Sequence, residues 1–181
     1  DMFERLTKAR IVEGYGLTEA SPVTHANPIF GRRKTGTIGL PWPDTEAKIM
    51  DVETGMKELP LGEAGELVVR GPQVMQGYWN KPEETAKTLR GGWLHTGDIV
   101  SRDKEGFLYF VDRKKDMIKT GGENVFAKEV EDAFLTHPAV QEAAVFGLPD
   151  PKWGEMIHAA IVVKPGQAVT EQELFAYAKE K

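Results

Sequence analysis

Cysteine is absent from the chain. Its absence excludes disulfides, thiolate metal sites and cysteine nucleophiles together. No apolar stretch approaches the ~18 uninterrupted residues that a membrane-spanning helix needs. The first residues, Asp1–Arg5, have neither the basic flank nor the apolar core of a signal peptide, so we expect none. A reducing compartment suits a chain without cysteine, and we expect a cytoplasmic protein.

Dense runs of positive charge are also missing. The 181 residues carry a formal net charge of -5, and Lys and Arg form no long block. Nucleic acid is therefore excluded as a main partner, because neutralising phosphates needs clustered cations. With 40% hydrophobic and 28% charged residues, the composition is typical of a globular protein. The length suits one ordinary domain or two small ones.

Several common site patterns do not occur. No Gly-x-x-x-x-Gly-Lys-Ser/Thr is present, which excludes a P-loop. Gly14 and Gly16 resemble the start of a dinucleotide fingerprint, but Glu19 stands where the third glycine belongs and excludes that interpretation. The four histidines have no paired spacing that would predict a metal site, and no Gly-x-Ser-x-Gly nucleophile motif occurs.

Glycine and proline are plentiful, at 19 and 11 residues, and predict many tight turns. An apolar pair, Ile11-Val12, predicts a strand end that breaks into a glycine-rich loop at Gly14. Further along, β-branched and aromatic runs predict short strands over 46–51, 66–70, 97–102 and 107–111, with a hairpin loop at 103–106. Pro at the first turn predicts a short helix over 82–89.

After Asp112 the pattern changes to alternating helices and strands. Phe126, Val130 and Phe134 recur at helical spacing, and Pro138 ends that helix. Strands are predicted over 140–146 and 157–163, and Thr170 with Glu173 predicts a capping box for a last helix. The expected fold class is α+β, with a β-barrel-like subdomain of short strands followed by a small α/β domain.

Four groups of residues could carry chemistry. The segment 14–19 combines an aromatic ring, a hydroxyl and a carboxylate, although an ordinary turn with a solvated Glu19 is the simpler interpretation. Asp98, predicted at the mouth of a strand, could accept from ribose hydroxyls or only from its own turn. The basic run Arg113–Lys115 is more often a solvated face. Gly121-Gly122 marks a turn or a close approach of a ligand to the backbone.

Taken in order, these motifs resemble the adenylate-forming superfamily. Glu13–Glu19, Gly92–Asp98 and Asp112–Asp116 carry the resemblance, which runs almost unbroken from residue 10 to residue 165. Lys34–Pro43 and Gly71–Trp79, together with Gly92–Asp98, look most like long-chain fatty-acid–CoA ligases. The resemblance implies activation of a fatty acid by ATP to acyl-AMP, followed by thioester formation with coenzyme A.

The resemblance also implies roles for residues near the start of the chain. Tyr15 matches the residue that lies against adenine, and Gly16 lines the floor beside the acyl carbonyl. Thr18 matches the hydroxyl that contacts the α-phosphate. Glu19 matches the Mg²⁺ ligand. The implied cofactors and substrates are therefore ATP or AMP, Mg²⁺, coenzyme A and a fatty acid.

Later residues receive implied roles in the same way. Asp98 and Arg113 match the ribose-binding pair. Lys115 matches the hinge about which the small C-terminal domain rotates between the half-reactions. Gly122 matches a glycine beside the tunnel for the pantetheine arm. The implied domains are the end of a large AMP-binding domain (1–111, with a nucleotide loop region at 1–40 and a β subdomain at 41–111), a hinge (112–116) and a truncated C-terminal domain (117–181).

Two elements of the family pattern are missing. The phosphate loop belongs upstream and a catalytic lysine in a Gly-Lys context belongs downstream, so we expect a C-terminal fragment that is inactive alone. None of Lys164, Lys179 and Lys181 replaces that lysine. Phe126-Ala127 stands where relatives often have Tyr-Pro. The alternatives are another acyl- or aryl-acid–CoA ligase and a non-catalytic interaction module. The sequence is compatible with a homodimer and with peripheral membrane contact of the intact enzyme.

Overall fold

The computed structural model describes residues 2–181, which form a mixed structure of short helices and antiparallel strands. The predicted α+β class is confirmed. The chain divides into two compact units, Asp1–Phe110 and Val111–Lys181, and the boundary falls inside a strand. The predicted division into 1–111, 112–116 and 117–181 stays a prediction. Among residues 2–181, no helix is long and apolar enough to cross a membrane.

The first unit contains two sheets. A three-stranded sheet of order β1-β2-β3 is accompanied by a larger sheet of order β4-β5-β7-β6, in which β8 pairs with β7. The elements are α1 (Met2–Thr7), β1 (Gly14–Gly16), a 3₁₀ turn (Thr18–Ala20), β2 (Val23–Ala26), β3 (Leu40–Pro41), β4 (Glu46–Met50), β5 (Gly65–Arg70), α2 (Pro82–Thr88), β6 (Leu89–Arg90), β7 (Trp93–Arg102) and β8 (Leu108–Arg113).

One apolar cluster lies between these strands. Its buried members are Ala20, Ile49, Leu67, Val69, Leu94, Val100 and Leu108. The first five residues of β5, including Glu66, are buried, so this central strand is covered on both faces. Ala20 belongs to this cluster, so the 3₁₀ turn that carries Thr18 and Glu19 is anchored in the core.

Two predictions at the strand level are wrong. The segment from Gly14 is not a loop after a strand, because Gly14–Gly16 is itself strand β1, and residues 8–13 lie outside regular elements. Strand β7 begins at Trp93 instead of Gly97, so Asp98 lies within a strand and not at its mouth. The predicted turn at 103–106 is confirmed, with Gly106 at φ +91°.

A β-bulge explains why the sequence pattern did not predict the start of β7. Glu66 pairs with Ile99 and Val68 pairs with His95, so Leu67 alone faces three residues, 96–98. The Thr96 hydroxyl fills the gap by donating to the Leu67 carbonyl at 2.8 Å. Gly97 adopts φ +73°, a conformation that favours glycine. The extra residues break the period-2 alternation by which strands are recognised.

The second unit is a four-stranded antiparallel sheet of order β10-β9-β12-β11 with two helices. Its elements are β9 (Ile118–Thr120), β10 (Glu123–Val125), α3 (Ala127–Leu135), β11 (Val140–Asp150), β12 (Gly154–Val163) and α4 (Glu171–Glu180). The predicted strands at 140–146 and 157–163 are the parts of the long β11–β12 hairpin that lie farthest from its turn. Ile118, Ala127, Phe134 and Val145 form the core.

The predicted capping box at the start of α4 is confirmed. Thr170 Oγ1 accepts from the Glu173 amide at 3.2 Å, and the Thr170 amide donates to Glu173 Oε2 at 2.8 Å. The hydrogen bonds that the Thr170 amide and then the Thr170 hydroxyl donate to the Glu173 carboxylate lower the pKa of Glu173 below its ordinary 4.5. The stability that the ionised Glu173 carboxylate contributes is therefore fully present above pH 4.5 and is lost as the pH falls through the lowered pKa.

Removing the cap gives a stability prediction. We expect Thr170→Ala to cost about 1 kcal/mol, because an N-cap hydroxyl is lost. Amide hydrogen exchange in α4 at pH 7 should accelerate roughly fivefold. The neighbouring exposed Gln172→Ala is the matched control and should change exchange by less than about twofold. Equal effects of the two substitutions would contradict the capping role.

A buried histidine in the three-stranded sheet gives a second prediction. His25 is fully buried, its Nδ1 lies 2.9 Å from Thr24 Oγ1, and within residues 2–181 its Nε2 has no hydrogen-bond partner. Burial lowers the pKa of His25 from 6.5 to about 4. The unfolded state therefore binds the additional proton, and stability that is complete above pH 6.5 is lost as the pH falls towards 4.

We expect His25 to account for about 2 kcal/mol of the stability that is lost between pH 7.5 and pH 5. The measurement is the free energy of unfolding of the protein at pH 7.5 and at pH 5, for the wild type and for His25→Gln. The variant should show a smaller loss between the two pH values, whatever its absolute stability. An unchanged pH dependence would show that His25 is not protonated on unfolding.

Candidate functional site

The 3₁₀ turn Thr18–Ala20 displays two of the predicted site residues between β1 and β2. The Leu17 amide donates to the Pro22 carbonyl at 2.8 Å, and the Ala20 amide donates to the Leu17 carbonyl at 2.9 Å. A Cβ at Gly16 would lie 2.1 Å from the Pro22 carbonyl oxygen, so this close approach requires glycine. Thr18 is exposed and Glu19 is half-buried on a turn with both ends fixed.

Tyr15 and Asp98 meet although 83 residues separate them. The Tyr15 hydroxyl donates to Asp98 Oδ2 at 2.5 Å, and both residues are half-buried. Tyr15 comes from β1, whereas Asp98 comes from the bulge of β7. The contact therefore joins the three-stranded sheet to the five-stranded sheet. It places an aromatic ring next to a carboxylate that can accept further hydrogen bonds.

A second contact holds Glu19. The Tyr78 hydroxyl donates to Glu19 Oε1 at 2.6 Å, and the Met75 amide donates to the Glu19 carbonyl at 2.7 Å. The hydrogen bond to the Glu19 carboxylate is the main cause that raises the pKa of Tyr78, so the hydroxyl stays a donor. Sequence reasoning missed Tyr78. The only indication in the sequence was that Tyr78 lies in Gly71–Trp79. This segment contributes to the family resemblance, but no role was assigned to its residues.

On the 3₁₀ turn, Glu19 is the carboxylate that could bind a divalent cation. Among residues 2–181, no three His, Asp or Glu side chains are grouped as a ready-made metal site. Mg²⁺ is usually bound by one or two carboxylates together with substrate phosphates and water. Glu19, half-buried and held through one oxygen, fits that pattern as a single protein ligand. Its role as the metal ligand stays a prediction.

The boundary between the two units falls inside β8, so Arg113, the last residue of β8, and Lys115 both belong to the second unit. Both side chains are exposed, and the Asp116 amide donates to the Arg113 carbonyl at 2.9 Å to close a turn around Lys115. The preceding Asp112 is buried, with its carboxylate accepting from the amides of Arg113 at 2.7 Å and Lys128 at 3.2 Å. The predicted hinge at Lys115 and the ribose contact of Arg113 stay predictions.

Gly122 lies in the two-residue turn between β9 and β10. Gly121 and Gly122 adopt φ +59° and +86°, so both central residues of the hairpin turn need the left-handed region. The Gly121 amide donates to the Trp153 carbonyl at 2.9 Å. The turn alone explains the glycine pair. A role of Gly122 beside a pantetheine tunnel stays a prediction.

Known proteins match both parts of the chain. The model of the AMP-binding enzyme family matches residues 1–79, and the model of the AMP-binding enzyme C-terminal domain matches residues 129–181. A long-chain-fatty-acid–CoA ligase of Bacillus subtilis is 54% identical over 179 residues, covering 99% of this chain and 32% of that protein. A feruloyl-CoA synthase of Amycolatopsis is 42% identical over 171 residues, covering 94% of this chain and 34% of that protein.

The structure of this chain is also similar to solved structures. The crystal structure of ATP-bound MatB from Rhodopseudomonas palustris superposes with a TM-score of 0.88 at 36% identity, covering 99% of this chain and 35% of that one. The chain thus spans about a third of the length of the relatives that it matches. Since both family models match in order along one chain, and with relatives at this identity, the chain belongs to the adenylate-forming superfamily, the AMP-binding enzymes.

Proposed function

We propose that this chain is part of an AMP-forming acid–CoA ligase whose acid is a long-chain fatty acid. The full-length protein would join the carboxylate to AMP with release of pyrophosphate, and would then transfer the acyl group to coenzyme A. The observation that most supports this proposal is the hydrogen bond between Tyr15 and Asp98, beside the turn that displays Thr18 and Glu19. The identity to the Bacillus subtilis ligase supports the choice of acid.

The adenosine would be bound by three of the site residues. The base stacks on the ring of Tyr15, which is fixed through its hydroxyl to Asp98. Asp98 accepts from the ribose hydroxyls, as an acidic residue does in other nucleotide sites. Base and ribose are covalently adjacent in a nucleotide, so a ring and a carboxylate in direct contact suit them. Arg113 is proposed as a second ribose-binding residue on the family resemblance alone.

The phosphates would lie over the 3₁₀ turn. The exposed Thr18 hydroxyl donates to an α-phosphate oxygen, and Glu19 supplies a carboxylate oxygen to Mg²⁺. Bound Mg²⁺ would neutralise charge that develops on the phosphate oxygens. Gly16, which has no side chain, lets the acyl carbonyl approach the α-phosphate. Such chemistry needs positioning and charge stabilisation more than a covalent nucleophile from the protein.

The thioester step would use the second unit. Rotation about Lys115 would present a different set of residues to the acyl-AMP, a known use of hinges. Gly122, at the tip of the β9–β10 turn, would line the path of the pantetheine arm. Lys115 lies in a turn that the Asp116 amide closes by donating to the Arg113 carbonyl.

Partners and location form part of the same proposal. The substrates are small molecules, namely the acid, ATP and coenzyme A, and their chemistry favours a cytoplasmic location. Trp79, Phe30 and Met56 are at least 84% exposed, which supports their burial against further protein. That protein would be the rest of the full-length chain or a second copy in a homodimer.

An aryl-acid–CoA ligase is the second candidate. The 42% identity to a feruloyl-CoA synthase supports it. Competition among fatty acids of several lengths and ferulic acid for pyrophosphate release by the full-length protein separates the two candidates. Preference for a long-chain fatty acid supports the first proposal, and preference for ferulic acid supports the second.

We predict that Asp98→Asn in the full-length protein lowers kcat/KM for ATP by about 10- to 100-fold. The physical reason is the loss of hydrogen bonds to a charged acceptor, each contributing about 1.5–3 kcal/mol. The measurement is fatty-acid-dependent pyrophosphate release. Asp44→Asn, at an exposed position, is the matched control and should behave as wild type. A wild type that releases no pyrophosphate with any acid would refute the proposed function.

We also predict that the 181-residue chain alone forms no acyl-AMP. It has no Gly-Lys dipeptide and no phosphate loop of the family type, so essential charge stabilisation is missing. The measurement is mass-spectrometric detection of acyl-AMP after incubation with ATP, Mg²⁺ and palmitate. The full-length protein is the positive control, and acyl-AMP from the short chain would contradict the prediction.

A further inference from the structure

The segment Gly71–Trp79 contacts Glu19 at two separate points. The Met75 amide donates to the Glu19 backbone carbonyl at 2.7 Å, and the Tyr78 hydroxyl donates to Glu19 Oε1 at 2.6 Å. One contact fixes the main chain and the other fixes the side chain. Since Tyr78 lies 59 residues from Glu19, the carboxylate is oriented by a distant segment and not by its own turn.

Tyr78 is itself firmly attached. Its amide donates to Thr85 Oγ1 at 2.9 Å, and Thr85 lies in helix α2. The Thr85 hydroxyl also donates to the Lys81 carbonyl at 2.8 Å. A Cβ on Gly77 would lie 2.7 Å from Thr85 Cγ2, so the backbone before Tyr78 packs closely on the same threonine. The backbone of Tyr78 is therefore fixed to α2 while its hydroxyl holds Glu19.

The hydrogen bond from Tyr78 restricts the orientation of the Glu19 carboxylate. A glutamate side chain has several rotatable bonds, and a half-buried one samples many rotamers unless a partner holds it. Tyr78 engages Oε1, so a cation can bind through Oε2. Hydrogen-bond partners of this kind orient metal-binding carboxylates, and their removal typically weakens metal binding about 10- to 100-fold.

We propose that Tyr78 is a positioning residue for the metal carboxylate, holding Glu19 in the orientation in which it binds Mg²⁺. The proposal rests on the proposed function, in which Glu19 is the metal ligand. It also explains what Gly71–Trp79 does, because this segment clamps the turn that carries Thr18 and Glu19. Tyr78 acts through Glu19 and does not itself touch the nucleotide.

The test compares Tyr78→Phe with the wild type in the full-length protein. Mn²⁺ replaces Mg²⁺ and is titrated against protein loaded with a nonhydrolysable ATP analogue, with bound Mn²⁺ followed by EPR. AMP binding in metal-free buffer is measured in parallel by calorimetry. We expect metal affinity to fall about 10- to 100-fold in Tyr78→Phe, with metal-free AMP affinity within about twofold of wild type. Tyr109→Phe is the matched control, since its hydroxyl also contacts a carboxylate, that of Asp103, at 3.3 Å.

Each other outcome decides against the proposal. Unchanged Mn²⁺ affinity in Tyr78→Phe, with an active wild type, overturns the positioning role and leaves the proposed function standing. An equal fall in Mn²⁺ affinity and metal-free AMP affinity shows a merely structural role of Tyr78. A wild type with no metal-dependent nucleotide binding and no pyrophosphate release overturns the proposed function itself.

Discussion

The hydrogen bond between the Tyr15 hydroxyl and Asp98 is the contact on which the candidate site depends. It joins two sheets that share no strand, and it exists only because two local features bring its partners into reach. Gly16 allows β1 to pass against the Pro22 carbonyl, and the bulge around Gly97 inserts extra residues that carry Asp98. A hydrogen bond to a carboxylate contributes about 1.5–3 kcal/mol, enough to fix two half-buried side chains.

A second pair of contacts extends the same principle to the turn after β1. Glu19 is held through its carbonyl by Met75 and through its carboxylate by Tyr78, while Ala20 is buried in the core. The site is thus assembled from short segments that form few backbone hydrogen bonds of their own. Long-range side-chain contacts and one shared apolar cluster supply the rigidity. This suits a site that is proposed to position phosphate and ribose groups.

The sequence predicted what depends on local pattern. The α+β class, the turn at 103–106 and the capping box of Thr170 and Glu173 follow from period, turn residues and cap residues, and the structure confirms them. Prediction failed where distant segments decide the structure. The bulge hid the first half of β7, and the hydrogen bond from Tyr78 to Glu19 links residues that no local pattern relates. The roles of Arg113, Lys115 and Gly122 came from resemblance alone and stay predictions.

The central claim is that Tyr15, Glu19 and Asp98 surround one nucleotide. The most direct measurement is a crystal structure of the full-length protein with AMP. The account predicts adenine against the ring of Tyr15, ribose hydroxyls within hydrogen-bond distance of Asp98, and the phosphate over Thr18–Ala20. Electron density for AMP in a cavity that none of these residues lines would contradict it.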